Sequence, residues 1–243
     1  MAWPQRCGLV VGYRMSFHLP RALDDTARSV GYLRTYYGID NGRPFQGARF
    51  DNWDSTGGRD ADADRFTADD IVAVSFLNVN VPALAAERLL VTEADRFSDL
   101  LSRLGPDRDL VDEPGPARND WPGWELLGAI DLLHRVGPTI ATKLLARKRT
   151  RLRPIYDSVV SAVVSSKTLW APLQLALTEQ DAALHRRLLD LQTRASLPEH
   201  VSALRVFDVV CWMGGKDLGL ARSAVATDEP TPDPDDASEA PRA

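Results

Sequence analysis

The chain has 243 residues, 44% of them apolar and 26% charged, with a net charge of -5. That balance gives ample material for a core and excludes wholesale disorder. No apolar run approaches the roughly 18 residues of a spanning helix, so no membrane partner is expected, and two cysteines are too few for a disulfide framework.

Residues 1–20 contain only a short apolar stretch, Gly8 to Gly12, without the length or cleavage region of a secretory signal; they are read as a poorly ordered N-terminus of a cytoplasmic protein. Met15 is an alternative start. From residue 21 to 38, Leu23, Ala27, Val30, Leu33 and Tyr37 recur at helical intervals, and Gly38 is a natural stop. Residues 39–65 are dense in Gly, Asp and Asn and read as a long, partly ordered loop whose acids, Asp51 included, are solvated. Thr67 and Asp70 have capping-box spacing and open a helix through Ile71 and Leu77. Pro82 and Glu93 open two more, the second ended by Gly105-Pro106. A Pro- and Gly-rich connection at 105–120 precedes helices over 121–134, 138–148, 156–167, 172–193 and 199–213. On the last of these, Arg205 and Asp208 form a helix-stabilising pair. Strand-like alternation is nearly absent, so the fold class is all-α, with one helical domain over 21–221.

Residues 223–243 hold six acids and one base, which leaves the remainder neutral, with 28 of each. This Pro-, Ala- and Asp-rich stretch cannot bury enough apolar surface to order itself, and 222–243 is read as a disordered acidic tail.

The segment that points to chemistry is Ile130 to Leu145. One apolar helix ends near Leu133, a turn follows at Val136-Gly137, and a second helix begins at Pro138. Gly137 lets the backbone turn sharply and come close to a phosphate, while Pro138 suits a first helical turn. The N-H groups that follow, with the helix dipole, make an anion site. Lys143, Arg147, Lys148, Arg149, Arg151 and Arg153 then place six cations in eleven residues with no acid among them, a patch suited to phosphates. The bland alternatives are a Gly-Pro corner and a solvated charged face.

The pattern V-G-P-x-x-A-x-x-L-L resembles the helix-hairpin-helix motif, placed here at 130–148, with Arg135 where the usual G-V-G form has its first glycine. Asp157 follows Gly137 by 20 residues within Pro-Ile-Tyr-Asp-Ser-Val-Val, which resembles the catalytic aspartate segment of helix-hairpin-helix DNA glycosylases. The resemblance implies a helical glycosylase-like bundle that binds double-stranded DNA without a cofactor. Arg135, Val136, Gly137, Pro138 and Thr139 would clamp the backbone, and Asp157 would act on an extruded nucleotide. Thr139 stands where bifunctional members carry a lysine nucleophile, so no lyase activity is implied, and the iron-sulfur cysteines of some members are absent. Tyr36, Tyr37 and Tyr156 are candidates for a base pocket, with core packing as the alternative. The alternative for Asp157 is a simple helix N-cap, and the alternative function is a non-catalytic module that binds DNA or a protein partner. The scattered histidines lack metal-ligand spacing, so no metal is expected. Through Tyr36-Tyr37, Phe66 to Ile71, the hairpin, Tyr156 to Ser158, Leu204 to Asp208 and Trp212-Met213, the whole chain also resembles a family of unknown function from high-GC bacteria.

Overall fold

A computed structural model describes residues 17–220, except 114, 116, 117 and 119. The expectations for the first sixteen residues and for the acidic tail lie outside the described residues.

Ten α-helices follow one another, and no strand occurs among the described residues. A 3-10 turn at Arg21–Asp24 leads into α1 (Thr26–Tyr37), whose first turn is capped by the Asp25 carboxylate and whose last turn closes on Gly38 in the left-handed region. The loop expected at 39–65 contains a 3-10 turn and the short α2 (Arg49–Asn52). Next, α3 (Ala68–Ser75) starts at the Thr67 and Asp70 capping box, as its spacing predicts. The pattern at 82–91 resolves into α4 (Ala83–Glu87) and a π-helical turn at Arg88–Thr92, followed by α5 (Ala94–Leu104).

The second half holds α6 (Pro122–Asp131), α7 (Pro138–Lys148), α8 (Ser158–Val164), α9 (Trp170–Arg194) and α10 (Ala203–Asp217). Helix α9 breaks at Glu179–Ala182, where Gln180, Asp181 and Ala182 all take positive φ. Arg186 holds the break by donating to the Asp181 carboxylate at 2.9 Å.

Two helices organise the core. Helix α10 packs against α1, α8 and α9, and residues 203 to 211 are buried without interruption. Helix α7 packs between α3 and α6 and is buried from Ala141 through Lys148. One continuous apolar cluster links both, from Ala22 to Met213. A ring of Trp121, Trp124 and Trp170 closes the end where α6 meets α9, with centroids 4.4 to 6.1 Å apart. None of the described helices is long and apolar enough to cross a membrane.

Candidate nucleic-acid interface

Helices α6 and α7 pack against each other and are joined by Leu132 to Gly137. The turn is built on backbone bonds: Leu133 N donates to Ile130 O at 3.1 Å, Val136 N to Leu133 O at 3.0 Å, and Ala141 N to Gly137 O at 3.0 Å. Leu133, Val136, Ala141, Leu144 and Leu145 point into the core. Leu132, His134, Arg135 and Pro138 are exposed, Leu132 by 82%.

The residue that turns the chain is Arg135, at φ +55°, not Gly137. Gly137 is the N-cap of α7 in an extended conformation, φ -105° and ψ 179°. A Cβ there would meet nothing within 4 Å. The expectation of a sharp turn at Gly137 is corrected accordingly, while the approach to the N-terminus of α7 is open. Thr139 lies half-buried on the first turn.

The basic cluster is corrected more thoroughly. Lys143, Arg147, Lys148, Arg149 and Arg153 are all buried, Arg149 to 1% exposure. The heads of the first four meet carbonyls and acids of the chain, whereas the Arg153 guanidinium lies over the Trp170 ring. Lys143 Nζ donates to Leu77 O at 2.9 Å. Arg147 reaches Phe50 O at 2.8 Å, Trp53 O, and the Asp70 carboxylate at 3.2 Å. Lys148 Nζ bonds Asp62 O at 2.9 Å and pairs with Asp70 at 2.6 Å. Arg149 donates to Gly105 O, Ala63 O and Leu101 O and pairs with Asp64. Only Arg151 of the six is exposed, and it pairs with Asp109.

The physical reason is demand from the 39–65 loop. A loop laid over a core turns carbonyls inward, and these need donors. The guanidinium fork and the long ammonium stem supply several at once. Burial holds the Lys148 ammonium and the Arg147 guanidinium below their usual pKa, with Asp70 opposing the shift in both cases. These side chains fasten the loop and are not presented to a phosphate.

Asp157 is the N-cap of α8. Its Oδ1 accepts from Val159 N and Val160 N, both at 3.0 Å, and its Oδ2 lies 3.8 Å from Lys143 Nζ. The side chain is 17% exposed. Tyr156 turns away from it: the hydroxyl donates to Ser166 O at 2.9 Å and lies 2.9 Å from the Ser161 hydroxyl, while its carbonyl accepts from Thr142 at 3.1 Å. Tyr36 is buried against Phe45, and burial pushes its phenol up to about 12. Tyr37 donates to Asp51 at 2.8 Å, and burial raises its pKa also. Of the three tyrosines proposed for a pocket, Tyr37 borders a surface cleft of about 220 Å³, with Pro44, Ala48, Arg49, Asn52 and Trp53. Tyr36, Tyr156 and Asp157 do not line that cleft.

Sequence reading missed a buried polar cluster centred on Arg205. This guanidinium donates to both Asp51 oxygens at 2.9 and 3.0 Å, to the Tyr36 hydroxyl and Gly47 O at 2.8 Å, and to Asp208. The Arg205–Asp208 pair is therefore made, but inside the core. Asp51, read as a solvated loop acid, is buried here. Burial alone would lower the Arg205 pKa; Asp51 and its other neighbours outweigh it and hold the pKa well above its ordinary value. Burial raises the Asp208 carboxyl to about 6, with Arg205 and Lys143 opposing and Asp157 adding to the rise.

A carboxyl raised on folding binds protons more tightly in the native state, so its contribution to stability is present below about pH 4 and lost as pH rises through about 6. Asp208→Asn removes that dependence while keeping an acceptor for Arg205. Urea unfolding at pH 4.5 and pH 7 is expected to show wild type losing about 2 kcal/mol relative to the variant across that interval. Parallel profiles would remove Asp208 as the titrating group.

An all-helical protein with one core, an exposed α6–α7 hairpin and an inward-turned basic run is what the fold and site define. The chain belongs to a family of unknown function, DUF6308, whose model matches residues 29–215. That span runs from α1 to α10 and includes the hairpin, Asp157 and the Arg205 cluster. No curated protein and no solved structure matches the chain.

Proposed function

We propose that the protein is a cytoplasmic, non-catalytic helix-hairpin-helix module that holds the sugar-phosphate backbone of double-stranded DNA at the α6–α7 hairpin. The observation that carries this reading is Arg135 at φ +55°, the first-glycine position of the motif, two residues before the N-cap Gly137 of an α7 whose first turn has no side-chain cap. The backbone N-H groups of that turn and the helix dipole are therefore left to attract an anion. Leu133, Val136 and Ala141 support the hairpin from below.

The non-catalytic form is favoured over a glycosylase by Asp157. Its Oδ1 is committed to two backbone N-H groups, and it does not border the cleft at Tyr37. With the basic run buried, few phosphate cations remain near the hairpin, so binding is weak and only mildly salt-dependent, with a slope of about one to two.

The test is Gly137→Asp. The backbone there is in a region open to any residue and the space is free, so the fold is retained while a carboxylate is placed at the phosphate position. Fluorescence anisotropy with a labelled duplex should show at least a tenfold loss of affinity and an unchanged Tm. Absence of wild-type binding at low salt, or equal binding by the variant, overturns the proposal. Preference for a duplex with a stable abasic analogue would overturn the non-catalytic form and restore the glycosylase reading.

A further inference from the structure

The 220 Å³ surface cleft at Tyr37 shares no residue with the hairpin and is shaped by the 39–65 loop. Tyr37, Pro44, Trp53 and the buried Ala48 give it apolar walls, and Arg49 and Asn52, one turn apart on α2, are its polar members. None of the six is acidic. The polar tips of both aromatic side chains are bonded to acids that do not line the cleft: the Tyr37 hydroxyl donates to Asp51 at 2.8 Å, and the Trp53 indole N-H donates to Asp69 at 3.1 Å. What these two rings have left to offer an occupant is chiefly carbon.

The walls are fixed from behind by the buried ions. Arg205 holds Asp51, the acceptor of Tyr37, while Arg147 donates to Phe50 O at 2.8 Å and to Trp53 O, so both ends of the Phe50 to Trp53 segment are tied to α7. Trp53 also packs edge-on to Phe76, with ring centroids 5.3 Å apart. On the opposite side, Phe45 N donates to Tyr36 O at 2.9 Å and Ala48 N to Phe45 O at 3.0 Å, which sets Pro44 and Ala48 against α1. Buried ion pairs give little net stability over apolar packing of the same volume, but they fix direction. Walls set before a ligand arrives spare it the cost of ordering them.

Arg49 differs from the cations of α7 and α10 that hold this frame. It is exposed, it lines the cleft, and its guanidinium has no hydrogen bond or ion pair among the described residues. Asn52 gives its Oδ1 to His200, which leaves its amide N-H groups. The polar groups still open at the cleft are therefore donors, one of them charged, beside an apolar wall. We infer that the cleft binds a small aromatic carboxylate, its ring against Tyr37, Pro44 and Trp53 and its carboxylate on Arg49. The guanidinium fork matches a planar carboxylate with two parallel bonds, whereas a doubly charged phosphate would meet one cation only. Pockets for drug-sized ligands span about 300–1,000 Å³, so this smaller cleft suits an occupant of one or two rings. The site is independent of DNA binding at the hairpin.

Isothermal titration calorimetry of the full chain with benzoate and with indole-3-carboxylate is expected to show one saturable site for at least one of them, with a Kd of about 1 mM or below. Acetate carries the charge without the ring and benzyl alcohol the ring without the charge; each should bind about tenfold more weakly or worse. Arg49→Gln should lower the affinity for the aromatic carboxylate about tenfold at an unchanged Tm, because this guanidinium holds no part of the fold, and Arg49→Lys should restore part of the loss through its charge. Amide shifts in a nitrogen-15 spectrum are expected at Tyr37 and at residues 47–53. The inference is overturned by the absence of saturable binding for both probes, by equal affinity in Arg49→Gln, by benzyl alcohol binding as well as benzoate, or by shifts confined to residues 132–141.

Discussion

Arg205→Met is expected to lower the stability of the protein by about 3–5 kcal/mol, a large part of the 5–15 kcal/mol that holds a typical domain together. Methionine is shorter than arginine but apolar, flexible and not far from it in volume, so only the smaller part of this loss comes from a cavity. It comes from Asp51 and Asp208, which stay buried without the cation they were folded around. Tyr36 and the carbonyl of Gly47 lose a donor at the same time. Arg205→Lys should recover only part, since one ammonium cannot serve acceptors that lie on several sides of a planar fork. Urea unfolding followed by circular dichroism measures both, and an unchanged m-value would show that stability rather than the unfolded state was altered. A loss below 1 kcal/mol for the methionine variant would mean that the cluster does not hold α10 to α1 and the 46–52 segment.

Asp70→Asn should cost about 3–4 kcal/mol, by the same imbalance with the charges reversed. The Asp70 carboxylate is the shared partner of Arg147 and Lys148, both buried, and it also accepts from Thr67 N at 2.9 Å to start α3. The amide keeps one acceptor oxygen but turns an NH₂ group toward two cations. Hydrogen exchange is expected to rise first in residues 50–64, whose carbonyls Arg147, Lys148 and Arg149 hold. Protection in that segment equal to wild type would refute the fastening role. The result also separates this role from a surface one, because a cation that served only a phosphate could lose its acidic neighbour without cost to the fold.

Both residues show how a sequence can reveal a local role and conceal a larger one. Thr67 and Asp70 announce a helix start by their spacing, and the helix starts there. Nothing in that spacing says that Asp70 is also the counter-ion for a helix 77 residues away. Arg205 and Asp208 are three apart and do pair, yet Asp51, 154 residues distant, is the stronger claim on Arg205. Six cations in eleven residues read naturally as an exposed patch, because charge is usually solvated. The loop that converts them into an interior feature has no periodicity that would place it over α7.

By itself the sequence determined the helical class, the α6–α7 boundary at Pro138, the starts of α3 and α5, and the stops at Gly38 and Gly105. These depend on interactions within a few residues: apolar spacing, side-chain caps, and the special backbone of glycine and proline. The tertiary structure alone decided which charges are buried, that Arg135 and not Gly137 turns the hairpin, that α9 breaks at Glu179–Ala182, and that Arg153 lies over Trp170. Each is set by what packs against the segment from elsewhere in the chain. A side chain carries its charge wherever it goes, but its solvation, its partners and therefore its function belong to the assembled fold.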